Sequence, residues 1–146
     1  MSSKLPITWK TVQLKPISNK YDVWTLGAIT KDGKLVLIDR FLPKFIKIDR
    51  KLVNVWYFIC IHECIEFEKL QLGFSYDDSH KYATEQENDA LVAHGIDPNV
   101  YNRELAKYID KAWMRQGKKL HRDMHLKQVE DYPDIVEKLR KLEPKS

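Results

Sequence analysis

Cysteine, glycine and long uncharged apolar runs are all scarce in this chain, and each scarcity excludes something. Two cysteines in 146 residues rule out a disulfide framework. Cys60 and Cys64 are one turn apart in a helical pattern, so a bridge between them is geometrically disfavoured. Five glycines form neither a Walker phosphate loop nor a dinucleotide fingerprint, and there is no G-x-S-x-G elbow. The opening residues Met1-Ser2-Ser3-Lys4-Leu5-Pro6 lack the apolar stretch of a secretory leader. Charges interrupt every apolar segment before it reaches the roughly 18 residues that would suggest a membrane span. The expectation is a soluble, cytoplasmic protein with reduced thiols and no membrane partner. The charge excess is small: 25 Lys and Arg against 21 Asp and Glu give +4, which permits an acidic partner without requiring one. With 43% hydrophobic and 32% charged residues, residues 1–146 read as a single globular domain with a real core.

What the chain does have is one dense apolar stretch, Val55-Trp56-Tyr57-Phe58-Ile59-Cys60-Ile61-His62-Glu63-Cys64-Ile65-Glu66-Phe67. With Asp49 as N-cap and Gly73 as stop, it predicts a helix of about 23 residues, apolar on nearly all sides and therefore a core helix. Burying His62, Glu63 and Glu66 in such a helix is costly unless each finds a partner. At about 100° per residue, His62 and Glu66 lie roughly 40° apart on one face. Glu63 sits at the edge of the same patch, while Cys60 and Cys64 point away from it. A metal ion would satisfy this set. Hydrogen bonds to Tyr or Lys side chains would satisfy it as a polar seam.

The segment His62-Glu63-Cys64-Ile65-Glu66 resembles the active-site helix of zincin-type metallopeptidases, whose H-E-x-x-H motif supplies two zinc-binding histidines and a glutamate base. Glu66 stands where the second histidine would be, and His80 is the histidine available to restore a two-His, one-Glu zinc set. The resemblance implies Zn2+ held by His62, Glu66 and His80 with water in the fourth position. It also implies Glu63 as general base and a peptide or protein as substrate. A zincin-like fold places a sheet beside this helix, and an edge strand can pair with an extended substrate.

The rest of the chain suits an α+β fold, with strands over about 7–48 and helices over about 50–142. A first strand is expected around Ile7, Trp9, Val12 and Leu14, ending at Pro16. Val23 to Thr30 and Leu35 to Ile38 flank Lys31-Asp32-Gly33-Lys34, a hairpin signal. Phe41 to Ile48, broken by Pro43, suits an edge. Together these predict a small antiparallel N-terminal sheet. Ser75 caps a second helix that stops at Gly95, with His80, Ala83, Thr84, Glu87 and Leu91 on one face. So short a connection makes the first two helices antiparallel neighbours and brings His80 level with Glu66. Glu87 lies about 10 Å further along the axis, suited to support and not to ligation. His94, at the helix end, suits the dipole.

Asp97-Pro98 opens a third helix, amphipathic through Tyr101, Leu105, Tyr108, Ile109, Ala112 and Trp113 and ended by Gly117. Ile135, Val136, Leu139 and Leu142 suggest a short C-terminal helix. Lys118-Lys119-Leu120-His121-Arg122 with His125 has the charge of a phosphate- or nucleic-acid-contacting stripe, but it reads more simply as a solvated basic helical face, since no aromatic interleaving or nucleic-acid motif accompanies it. His121 and His125 also have the i, i+4 spacing of a helical metal pair, without an apolar setting. Two function classes follow. One is a zinc-dependent hydrolase of zincin-like type. The other is a non-enzymatic α+β interaction module with a buried polar seam and a basic C-terminal surface. A purely structural metal site is a third reading of the same residues.

Overall fold

A computed structural model describes residues 7–115 and 119–125. Its element order is five short strands followed by three helices: β1 (Ile17–Tyr21), β2 (Gly27–Ile29), β3 (Val36–Asp39), β4 (Phe45–Ile48), β5 (Lys51–Asn54), α1 (Val55–Gln71), α2 (Tyr76–Ala93) and α3 (Pro98–Met114). The α+β class with a small sheet and three helices is as the sequence implies. The expected fourth helix around Ile135–Leu142 lies outside the described residues, as do Gly117 and Lys118. No helix among the described residues is long and apolar enough to cross a membrane.

The strands form two sheets. In the first, ordered β1-β3-β2, the expected hairpin is present: β2 and β3 pair antiparallel, Gly27 opposite Ile38 and Ile29 opposite Val36. Gly33 takes φ +73° in the connecting turn, and Asp32 Oδ1 accepts from the Thr30 hydroxyl and the Lys34 N–H. The sheet is mixed, because β1 joins β3 in parallel. This first strand follows Pro16 instead of ending at it. The Pro16 carbonyl accepts from Val36 N–H, so the register is set where proline still offers an acceptor. The expected strand from Val23 is confined to Gly27–Ile29, because the chain turns at Leu26, which has φ +72° and donates its N–H to the Val23 carbonyl.

The second sheet corrects the start of the long helix. Asp49 does not cap it. Asp49 and Arg50 have φ +48° and +66°, the paired positive values of a tight hairpin turn. They join β4 to β5 in antiparallel register, Ile46 opposite Val53 and Ile48 opposite Lys51. Asn54 then ends β5 and caps α1 directly, its side-chain oxygen accepting from Tyr57 N–H. Ile46, Ile48 and Val53 are buried beneath this hairpin.

Around α1 the core closes on most sides, with Val55, Phe58, Ile59, Cys60, Ile61, Cys64 and Ile65 all buried. The second helix begins at its Ser75 cap and the third at Asp97 followed by Pro98. Gly95, at φ +75°, follows α2 as expected. Asp110 and Lys111 leave α3's outer side to solvent, while Tyr101, Leu105 and Ala112 are buried.

Candidate metal centre

His62, Glu63 and Glu66 come from the middle of α1, and His80 and Glu87 from α2. The turn at Leu72–Ser75 makes the two helices antiparallel, as the cross-contacts show: the early residue His62 meets Glu87, and the later residue Glu66 meets His80. His62 Nε2 is 3.1 Å from Glu66 Oε2, and His80 Nδ1 is 2.8 Å from the same oxygen. The two imidazole rings lie 5.0 Å apart between centroids at 67°. One donor atom each from His62, Glu66 and His80 fall within 4.8 Å of one another, a group that can hold a metal ion. A tetrahedral site with bonds of about 2.1 Å has donor atoms roughly 3.4 Å apart. The two distances to Glu66, 3.1 and 2.8 Å, fall a little short of that value, so a small spreading of side chains would make room for an ion.

The surroundings define the state of each ligand. Glu66 is completely buried, and a carboxylate there needs cationic or metal partners. His62 Nδ1 is 3.0 Å from Glu87 Oε1. Donation from Nδ1–H to that carboxylate leaves Nε2 directed at Glu66 and His80, an arrangement that fixes the tautomer of a metal-binding histidine. Without an ion, burial works against charge on His62. Hydrogen bonds to Glu66 and Glu87, and the charges of Glu87 and Glu63, outweigh it and push the imidazole pKa up to about 10. Glu87 thus stands behind His62, in line with the supporting place that its distance along the helix from His80 suggests. Tyr101 is fully buried behind it. That burial, with the Glu87 carboxylate, holds the phenol pKa well above its usual range. His80 is half exposed, and Tyr76 stacks on it at 5.5 Å and 25° with its hydroxyl 3.4 Å from Nδ1.

Glu63 is buried and lines a cleft of about 220 Å³ together with His62, His80 and Glu87. The opposite wall is β2. A Cβ on Gly27 would meet Ile59 Cγ2 at 2.2 Å and Glu63 Oε2 at 3.5 Å, so only glycine lets the strand lie this close to α1. The Leu26 carbonyl accepts from Asp39 N–H in β3, and Thr30 N–H donates to the Leu35 carbonyl just before that strand. Strand alternation then leaves Gly27 and Ile29 on the outer edge. At the end of that edge, His125 N–H donates to the Ile29 carbonyl and Lys31 N–H to the Asp123 carbonyl.

The structure therefore brings together His62, Glu63, Glu66 and His80. It keeps Cys60 and Cys64 apart from them, as buried free thiols 3.9 Å from each other. His94 caps the far end of α2, its Nδ1 donating to the Ala90 carbonyl, and its ring packs against Trp9, Tyr57 and Phe58. His121 and His125 are not on a helix. His125 instead lines the cleft, and His121 packs on Tyr21. Sequence reading missed Gly27, Tyr76, Tyr101 and His125 as parts of the site. An isolated glycine within a strand signals close backbone approach, so Gly27 had a visible cue. Tyr76 stands one turn before His80, an i, i+4 spacing open to sequence reading, whereas Tyr101 and His125 depend on long-range packing. Comparison with protein-family models, curated proteins and solved structures finds no match for this chain.

Proposed function

We propose that this chain is a zinc-dependent hydrolase acting on peptide bonds, with the chemistry of a minimal zincin-type metallopeptidase. The observation that carries the reading is the orientation of His62. Its Nδ1 is tied to Glu87, so Nε2 faces a buried carboxylate and a second imidazole, and Glu63 borders the same cleft. His62, Glu66 and His80 would hold the ion, a two-His, one-Glu set common in catalytic zinc sites. Bound there, zinc supplies a Lewis acid that lowers the pKa of a ligated water toward about 7 and polarises a carbonyl. Glu63 accepts the proton of the attacking water and delivers it to the leaving amine. The cleft beside Glu63 is lined by Gly27 and Ala28 of β2, which would lie alongside a bound peptide.

The hydrogen bonds among His62, Glu66, His80 and Glu87 also close on themselves without an ion. That supports a second reading, a non-enzymatic interaction module in which they form a polar seam. Elemental analysis of protein purified without chelator separates the two, with about one zinc per chain expected for the enzyme. The role of Glu63 is tested by Glu63→Gln, which is expected to keep its zinc and lose hydrolysis of a general protein substrate. Loss of zinc from that variant would make Glu63 a ligand and overturn the assignment.

A further inference from the structure

Cys60 and Cys64 stand one turn apart on α1 with their sulfurs 3.9 Å from each other, both thiols free and buried. Cys60 Sγ donates to the Lys15 carbonyl, 3.6 Å away, whereas His62 and Glu66 face α2. Neither cysteine lines the cleft. The cover over Cys60 is thin. Residues 12–16 belong to no helix or strand, and Gln13, Leu14 and Pro16 are exposed while Lys15 is half-buried. The spacing of the sulfurs separates two kinds of thiol chemistry. A disulfide needs them about 2.05 Å apart, and closing that gap would distort a turn of the core helix. At a metal–sulfur bond of about 2.3 Å, two sulfurs on one ion lie about 3.8 Å apart at a tetrahedral angle and about 4.6 Å apart on opposite sides. The observed 3.9 Å falls inside that range. An ion can therefore bridge the pair with α1 intact.

We propose that Cys60 and Cys64 form a second metal site, separate from the histidine–glutamate cluster, which takes a soft monovalent ion of the copper(I) class. Sulfur ligands select soft ions, while imidazole and carboxylate suit harder ones, so the two sides of one helix sort two kinds of metal. Structural zinc takes four ligands, and the pair with the Lys15 carbonyl offers three in a buried setting. Copper(I) accepts the lower coordination. One Cu+ arrives as one thiol proton leaves to solvent, with no change of oxidation state. The pair stays neutral as a whole and avoids the cost of an unpaired charge in the core. This site is independent of the zinc-hydrolase reading and stands or falls apart from it.

The test titrates the full chain, without oxygen, with Cu(I) presented as its bathocuproine disulfonate complex, and reads the copper lost from the coloured chelator. One Cu(I) per chain is the expected uptake, and X-ray absorption at the copper edge should show sulfur neighbours. Cys60→Ala and Cys64→Ala keep a small apolar side chain in the core, and each is expected to lose the copper. His62→Ala is expected to retain it. No uptake, a copper shell of nitrogen or oxygen alone, or uptake that survives either cysteine substitution would overturn the pair as a site. Copper lost with His62→Ala would overturn its separation from the histidine–glutamate cluster. The absorption measurement uses the unmodified chain, so it decides the matter even where a variant does not fold.

Discussion

Two groups of buried carboxylates sit among the described residues, and their partners differ in kind. Around β3, Asp39 accepts from Val23 N–H, Phe41 N–H and Arg115 Nη1. Asp22 accepts from Arg40 Nε and Lys119 N–H. Both guanidinium groups also lie over the Phe41 ring. Between α1 and α2, Glu66 Oε2 meets two imidazoles, those of His62 and His80. Guanidinium and amide N–H groups are donors with no lone pair to offer an ion. Imidazole can donate a proton or present a lone pair, so the same buried charge can face either a cation or a metal. The Asp22–Asp39 group is a clasp holding Arg115 and Lys119 to the sheet. The Glu66 group is one that could hold a metal ion.

The comparison breaks most sharply by mutation. His80→Ala is expected to abolish zinc binding as fully as His62→Ala, while His94→Ala retains it. Full zinc occupancy in His80→Ala would reduce the centre to a polar seam. Asp39→Asn should do the opposite: unchanged zinc uptake and a stability loss of roughly 1–3 kcal/mol from a weakened buried ion pair and hydrogen bonds, read by urea unfolding.

Metal removal comes next. Zinc at about 100 times its Kd stabilises the folded state by about 2.7 kcal/mol through mass action. Excess chelator should therefore lower the Tm by several degrees, and an unchanged Tm would count against the site.

The pH response sharpens the contrast further. In metal-free protein the His62 pKa rises from 6.5 to about 10. Its contribution to stability is fully present below about 6.5 and is lost as pH rises through about 10. Denaturation in chelator should show stability falling across that window, and zinc-loaded protein should lack the component, because a ligating His62 is already deprotonated. The same linkage makes zinc affinity rise by up to about tenfold per pH unit there. A pH-independent affinity would mean that His62 carries no proton to lose.

The smallest expected effect is that of Glu87→Gln. It keeps the shape but weakens the hold on His62 Nδ1, and should lower zinc affinity by about 10–100-fold without abolishing binding. An affinity equal to the unmodified chain's would show that Glu87 does not orient the ligand.

Much of this arrangement is legible in the residues because local chemistry and tertiary packing agree. Ser75, Gly95 and Asp97-Pro98 mark helix ends with side-chain caps and backbone angles that act within a few residues. The short step from Gly73 to Ser75 forces neighbouring helices, which is why His80 reaches Glu66. The hairpin at Asp49-Arg50 escaped because Asp49 reads equally well as a cap, and arginine carries no signal for a positive φ. The parallel place of β1 escaped because Ile17-Ser18-Asn19-Lys20-Tyr21 has no buried residue and hence no pattern to fix its register. Leu105, Ile109, Met124 and His125 reach the cleft only through long-range folding, and nothing near them in sequence announces it.

The two ends of α1 meet their neighbours differently. At its start, β5 passes into the helix through Asn54, which ends the strand and caps the helix. At its end, Gly73 turns the chain at φ +97° with open space where a side chain would be. Beyond this turn the His80 side chain is about half exposed at 49%, while Glu66 is fully enclosed. Room for an ion would therefore be made on the His80 side of the cluster, where solvent and not packed core lies behind the ring.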